Sequence, residues 1–218
     1  MSVLIKNGRV ITSDSDCIAD VLIEGKTIAK VGESLECSDA EVIDATGKYV
    51  LPGFIDPHVH IHLPFMGTNA IDDHASATKA ALAGGTTTLI EMICPGPDDE
   101  PKAAFEEWKA LAEAGACCDF SFHLSVVRFD EIAKQQVRDL VENEGVASFK
   151  VFLAYKGALD IADEQLFELM EIAKELGVII TAHCENAEAV DAMQKRFIAE
   201  GKTGPQWHEP SRPRCVET

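Results

Sequence analysis

The sequence is poor in cationic side chains, in paired-cysteine motifs and in long apolar runs, and each shortage closes a class of function. Nineteen Lys and Arg face 37 Asp and Glu, a formal net charge of −18, with no basic stripe or arginine cluster. Nucleic acid and anionic membrane surfaces are therefore poor partners, because both are gripped first through Lys and Arg. The seven cysteines contain no CxxC, and the adjacent Cys117 and Cys118 cannot readily bridge each other. An odd, unpatterned set is neither a disulfide framework nor a zinc ribbon; it suits a reducing cytosol, so a cytoplasmic location is expected. No stretch approaches the roughly 18 apolar residues of a membrane span. The N-terminus carries Lys6 and Arg9 inside its apolar run and has no signal-peptide h-region.

What remains is ample core material, since 46% of the chain is hydrophobic. The first fifty residues read as a small β domain. Val3-Leu4-Ile5 and Val21-Leu22-Ile23 lead into Asn7-Gly8 and Glu24-Gly25, and Val42-Ile43 precedes Thr46-Gly47, which predicts hairpins. From Tyr49 the rhythm becomes strand, helix, strand, helix, with strands expected at 49–58, 86–93, 118–126, 146–153 and 178–183. Leu166, Leu169, Met170, Ala173 and Leu176 form a helical, core-facing stripe, with Asp163 as N-cap and Gly177 past the end. Gly84-Gly85 and Gly115 are expected to close the first two helices likewise. Such alternation implies a parallel sheet, open or closed into a barrel. Residues 51–218 supply five strand–helix units where a complete barrel has eight and spans about 250 residues. The polar, proline-broken tail from Gly201 then stops, so the chain reads as truncated.

Residues 51–60, Leu-Pro-Gly-Phe-Ile-Asp-Pro-His-Val-His, bring a buried strand to an end in two histidines. Side chains at i and i+2 of a strand leave the same face, so His58 and His60 can close on one metal ion. By itself such a pair is a weak signal. Lys150 lies in Ala-Ser-Phe-Lys-Val-Phe-Leu-Ala-Tyr, where a charge is costly unless paired or removed. Two readings stay open. The lysine snorkels or pairs with a carboxylate; or burial lowers its pKa and the neutral amine takes up carbon dioxide, becoming a carbamate able to bridge two divalent metals. His183 ends the strand Val-Ile-Ile-Thr-Ala-His, at the edge where parallel sheets place their sites. Alone it would be structural, but three imidazoles and one buried lysine on separate strands suit zinc or a similar ion. Tyr155, in the loop after the lysine strand, either packs or donates to an oxyanion. His62 continues the alternation without being assigned as a ligand. His74, His123 and His208 default to structural or surface roles.

These motifs resemble the cyclic amidohydrolases, and within them the dihydropyrimidinase and hydantoinase family. The resemblance runs from Pro52-Gly-Phe-Ile-Asp-Pro-His-Val-His60 through Lys79-Ala-Ala-Leu-Ala-Gly-Gly-Thr-Thr-Thr88 to Ser148-Phe-Lys-Val-Phe-Leu-Ala-Tyr-Lys-Gly157. It continues in His183-Cys-Glu-Asn186, in Gly201-Lys-Thr-Gly-Pro-Gln-Trp-His208 and in Ser211-Arg-Pro213. It implies an α/β fold, a partial (β/α)8 TIM barrel of the metal-dependent amidohydrolase type, with residues 1–50 a portion of a small β-sandwich. It further implies that His58 and His60 bind one divalent cation, that His183 helps bind a second, and that Lys150 bridges them as N6-carboxylysine. Zinc is the expected metal, Tyr155 steadies the oxyanion, and Phe65 and Met66 line the substrate wall. The implied reaction is ring opening of a cyclic ureide or imide, a 5,6-dihydropyrimidine or hydantoin, to an N-carbamoyl amino acid by a metal-bridging hydroxide. A homotetramer is implied as well.

In that family a further metal histidine and a proton-shuttling aspartate come from later strands, so residues 1–218 alone are expected to be nearly inactive. Allantoinase and dihydroorotase are the nearest enzymatic alternatives. His62, where a typical dihydroorotase has arginine, argues against an acidic ring substrate. A non-catalytic dihydropyrimidinase-related scaffold is the alternative outside enzymology.

Overall fold

The structure, a computed structural model, describes residues 1–65 and 67–217. It contains two compact units, Met1–Phe54 and Ile55–Thr218. In the first, strands β1 (Ser2–Ile11), β2 (Asp16–Glu24), β3 (Thr27–Gly32) and β4 (Ala40–Asp44) lie in the order β3-β2-β1-β4, and β5 (Tyr49–Val50) also pairs with β1. The two Val-Leu-Ile triplets face each other across the β1–β2 hairpin, Leu4 opposite Leu22. Asn7-Gly8, expected to be a hairpin turn, instead lies inside β1, where the register shifts and Asn7 takes φ 61°. It is a bulge, and a side chain at Gly8 would collide with Val50. The hairpin turns at Thr12–Ser15, whose Thr12 hydroxyl accepts from the Asp14 and Ser15 amides. Thr46-Gly47 does not make a hairpin either, because β4 and β5 both run parallel to β1. Buried Asp20 ties this unit together, accepting from the Asn7 amide at 2.8 Å and the Leu35 amide at 2.9 Å.

The second unit is a partial (β/α)8 barrel. Its strands β6 (Phe54–Val59), β9 (Thr86–Ile93), β10 (Asp119–Ser125), β11 (Ser148–Phe152) and β12 (Ile179–His183) lie side by side in chain order. β9 through β12 are parallel. Helices α1 (His74–Ala83), α2 (Pro101–Gly115), α3 (Glu131–Glu144), α4 (Asp163–Leu176) and α5 (Ala187–Ala199) alternate with them, and a small ribbon of β7 (Pro64–Phe65) and β8 (Thr68–Asn69) follows β6. The single strand expected over 49–58 is broken at Pro52-Gly53, since proline lacks the N–H a ladder needs.

Helix starts follow side-chain chemistry. Asp73 caps α1 by accepting from the Ser76 amide at 2.7 Å, and the Ser76 hydroxyl accepts from the Asp73 amide in return. Asp130 and Asn186 cap α3 and α5 from the Ala133 and Ala189 amides. Asp163 is not a cap. It is the first residue of α4, after Ala162, whose amide is accepted by Gln165. Gly177 ends α4 in the left-handed conformation, as does Gly145 after α3. Gly115 instead belongs to α2, where a side chain would press on His74 and Ala75 at 3.3–3.4 Å. Met170, placed on the core stripe by its spacing, is 55% exposed, and Ile172 takes the buried place beside Leu169 and Ala173.

The main core lies between sheet and helices and includes Trp108, Phe122, Leu124, Leu140, Phe149 and Leu169. Strand parity decides the rest. Phe122, Leu124, Phe149 and Val151 face this core, so His123, Ser125, Lys150 and Phe152 leave the opposite, inner face. Leu140 is fully buried. Leu140→Ala is expected to lower unfolding stability by about 2–5 kcal/mol in urea titrations, through lost transfer energy and an unfilled cavity.

Candidate metal centre

His58 is the penultimate residue of β6 and His60 follows the strand's last residue. Their ring centroids are 5.5 Å apart at an interplanar angle of 61°. The Asp56 carboxylate accepts from the His58 amide at 3.1 Å, which fixes the backbone between them. Because β6 ends at Val59, the alternation that would align His62 with the pair stops short. His62 takes φ 50° and donates its amide to the Asp72 carbonyl.

Lys150 sits at the middle of β11 and is 4% exposed. Among the described residues its ammonium meets no carboxylate and makes no hydrogen bond; it lies 5.1 Å from the centre of the Phe152 ring. Burial pushes its pKa below the ordinary lysine range, opposed only by the nearby Cys94 and Cys184 thiols. The same neighbourhood acts on the imidazoles. Desolvation first, then Lys150, His123 and His183, hold the His58 pKa below its usual value. Desolvation first, then His58 and Lys150, do the same for His60. Both rings are thereby biased toward the neutral form, which carries a free lone pair.

His183 is the last residue of β12, and its ring centroid lies 5.4 Å from that of Tyr155. Tyr155 takes φ 62°, an uncommon conformation for an aromatic residue. The turn that holds it is stitched to β12 by the Leu153 amide donating to the His183 carbonyl at 2.8 Å, and to the start of α5 by the Ala187 amide donating to the Leu153 carbonyl. Phe65 stacks edgewise on Tyr155 at 6.1 Å. Met66, its expected companion, lies outside the described residues.

Several participants escaped the sequence reading. Cys94, just beyond β9, has its sulfur 3.9 Å from His60 Nδ1 and 3.7 Å from the Ser125 hydroxyl. Burial pushes this thiol up to about 11, which favours the neutral S–H. His123 was assigned a default structural or surface role, and it is a buried strap. Its Nε2–H donates to the Pro57 carbonyl at 2.9 Å, and its Nδ1 accepts from the Ser148 hydroxyl. It thus joins the residue before His58 to the strand that carries Lys150. His74 is likewise buried and structural, bonded through Nε2 to Glu91 at 2.7 Å, while Glu91 also accepts from the Ile61 amide next to His60.

Among the described residues, no three His, Cys, Asp or Glu side chains together form a metal-holding group. The charges of Lys150 and His183 act on His58, and those of His58 and Lys150 on His60, so these four side chains share one neighbourhood. As an ammonium Lys150 cannot ligate; as a carbamate it would supply the anionic oxygens the set otherwise lacks. The donor chemistry then fits hard-to-borderline divalent cations.

Residues 49–209 match the model of the amidohydrolase family. A D-hydantoinase (dihydropyrimidinase) structure from Thermus sp. is 54% identical and superposes with a TM-score of 0.95, covering 99% of this chain and 47% of that one. D-hydantoinase of Geobacillus stearothermophilus is 41% identical over 100% of this chain and 46% of its own length. Rat dihydropyrimidinase is 39% identical over 98% of this chain and 42% of its own. The chain therefore spans a little under half the length of these relatives.

Burial of the Lys150 charge has a signed consequence in the metal-free protein. The unfolded chain keeps that proton to higher pH than the folded one, so stability rises with pH between the depressed value and about 10.4. Lys150→Met is expected to raise the melting temperature at neutral pH and to abolish that alkaline rise, as scanning calorimetry across pH would register.

Proposed function

This chain belongs to the amidohydrolase family, and we propose that the protein carrying it is a cyclic amidohydrolase of the dihydropyrimidinase and hydantoinase type. The observation that carries this reading is Lys150, buried without a counter-charge among the described residues and acting on the His58 and His60 imidazoles. His58 and His60 would hold one divalent cation and His183 would help hold a second. Lys150, as N6-carboxylysine, would contribute oxygens to both, and zinc suits this donor set best. Such a pair of cations, when bound, supplies Lewis acidity and lowers the pKa of water from 15.7 to about 7.

The chain's own residues do the remaining work. Carboxylation turns the Lys150 side chain from a costly cation into an anion, so its burial becomes compatible with two positive charges nearby. Desolvation biases His58 and His60 toward the unprotonated form and so toward available lone pairs. Tyr155 stands beside His183 with its hydroxyl as a donor for the oxygen that gains charge when the ring carbonyl is attacked. Phe65, packed on Tyr155, forms an apolar wall for a small, uncharged ring. Water adds to the carbonyl carbon, the C–N bond breaks, the ring nitrogen takes the proton, and a cyclic ureide or imide opens to an N-carbamoyl amino acid.

Residues 1–50 are read as a portion of a small β-sandwich and 51–218 as the first five strand–helix units of the barrel. The unpatterned cysteines, with no CxxC among them, fit a cytoplasmic protein, and the family resemblance carries a homo-oligomeric state.

The full protein, purified with zinc and bicarbonate, is expected to hold two divalent cations per chain by elemental analysis. With 13C-bicarbonate it should show a carbamate resonance that Lys150→Arg abolishes. It should open dihydrouracil or hydantoin in preference to dihydroorotate and allantoin. A folded, metal-free protein without turnover would sink the reading in favour of a non-catalytic scaffold. Tyr155→Phe is expected to cut kcat by about 10²–10³-fold with KM little changed, the loss of one oxyanion donor.

A further inference from the structure

Beyond the ligands themselves, we propose that Glu185 and Arg212 form a positioning chain for His183. Glu185 selects which ring nitrogen faces the cation site, and Arg212, from the C-terminal segment, holds Glu185 in place. This rests on the reading of His183 as a metal ligand.

The observations lie two residues past the end of β12. The Glu185 carboxylate accepts from His183 Nε2 at 2.7 Å. A carboxylate accepts only, so Nε2 carries the proton and the lone pair sits on Nδ1. The ring is thereby committed to ligation through Nδ1, the arrangement by which outer carboxylates fix a metal-binding tautomer.

Glu185 is buried, with a side chain only 9% exposed, and its second oxygen lies 3.6 Å from Arg212 Nε. Arg212 is 17% exposed, and its Nη1 is buried without a partner among the described residues. At 3.6 Å Arg212 meets the Glu185 carboxylate as a half-enclosed ion pair. The segment bearing it is docked, not loose. The Asn186 amide donates to the Val216 carbonyl at 2.8 Å, Val216 is buried, and the buried Ser211 hydroxyl bonds the His208 carbonyl. The tail thus clamps the residue that follows Glu185 as well as Glu185 itself.

The test uses the full, zinc-loaded protein with Glu185→Ala, Glu185→Gln, Arg212→Met and Arg212→Lys. Glu185→Ala and Arg212→Met should weaken one of the two cations by about 10–100-fold in chelator competition and leave the other at parental affinity. Both should lower kcat more than they change KM, with Glu185→Gln and Arg212→Lys recovering most of the loss. Long-range 1H–15N spectra should show His183 as the Nε2–H tautomer in the parent and as a mixture in Glu185→Ala. Should Glu185→Ala not fold, Arg212→Met carries the same comparison. Parallel loss of both cations, or parental affinity with an unchanged tautomer, would overturn the positioning chain. A parent that binds no metal would instead overturn the functional reading, and the metal-free tautomer comparison would still decide the role of Glu185.

Discussion

A lysine enclosed in the middle of a strand, with no anion to meet it among the described residues, is the constraint on which the second unit turns. β11 is buried along its whole length, and its two faces have opposite chemistry: Phe149 and Val151 join the apolar core, while Lys150 leaves the inner face. An unpaired ammonium there costs stability by desolvation alone. Carboxylation removes that cost only if cations are at hand to meet the new negative charge. In the proposed reading the imidazoles at the ends of β6 and β12 would hold those cations, and lysine and histidines, although from three separate strands, would act as one group.

The inner face is built to keep those strands in register. His123 spans from the Pro57 carbonyl to the Ser148 hydroxyl, so the strands carrying His58 and Lys150 are tied through a third. The Val126 amide bonds the Lys150 carbonyl, and the Leu153 amide bonds the His183 carbonyl. Glu91 holds the backbone just after His60 from the helix side. Each proposed ligand therefore has a neighbour whose own bonds are satisfied, and small barrel distortions are resisted where ligand spacing matters most.

Much of this was legible in the residues, and the failures are instructive. The 86–93 strand matched because Thr-Thr-Thr-Leu-Ile-Glu-Met-Ile is β-branched and bounded by glycines and proline. The expected 49–58 strand failed because Pro52-Gly53 interrupts it, a signal present in the letters. Asn7-Gly8 was read as a hairpin because that pair favours left-handed conformations; a bulge uses the same preference without reversing the chain. Met170 matched the helical period and still faces outward, since a stripe's exact orientation depends on what packs against it. His123 could have been found by parity, sharing a face with Ser125 and opposing Phe122 and Leu124. Glu185 follows His183 by two residues, the spacing that singled out His58 and His60. Arg212 could not have been found so, because nothing local places a residue 27 positions downstream against Glu185.

The two-faced character of β11 also bears on how this gene can change. Side chains in a strand swap faces with every step, so one codon gained or lost between Ser148 and Lys150 would turn the amine into the greasy layer and aim an apolar side chain at the inner face. Point substitutions can be graded here; frame-preserving insertions and deletions cannot. Length variation in this lineage should therefore accumulate in the loops and helices outside the strand and leave its five residues uninterrupted.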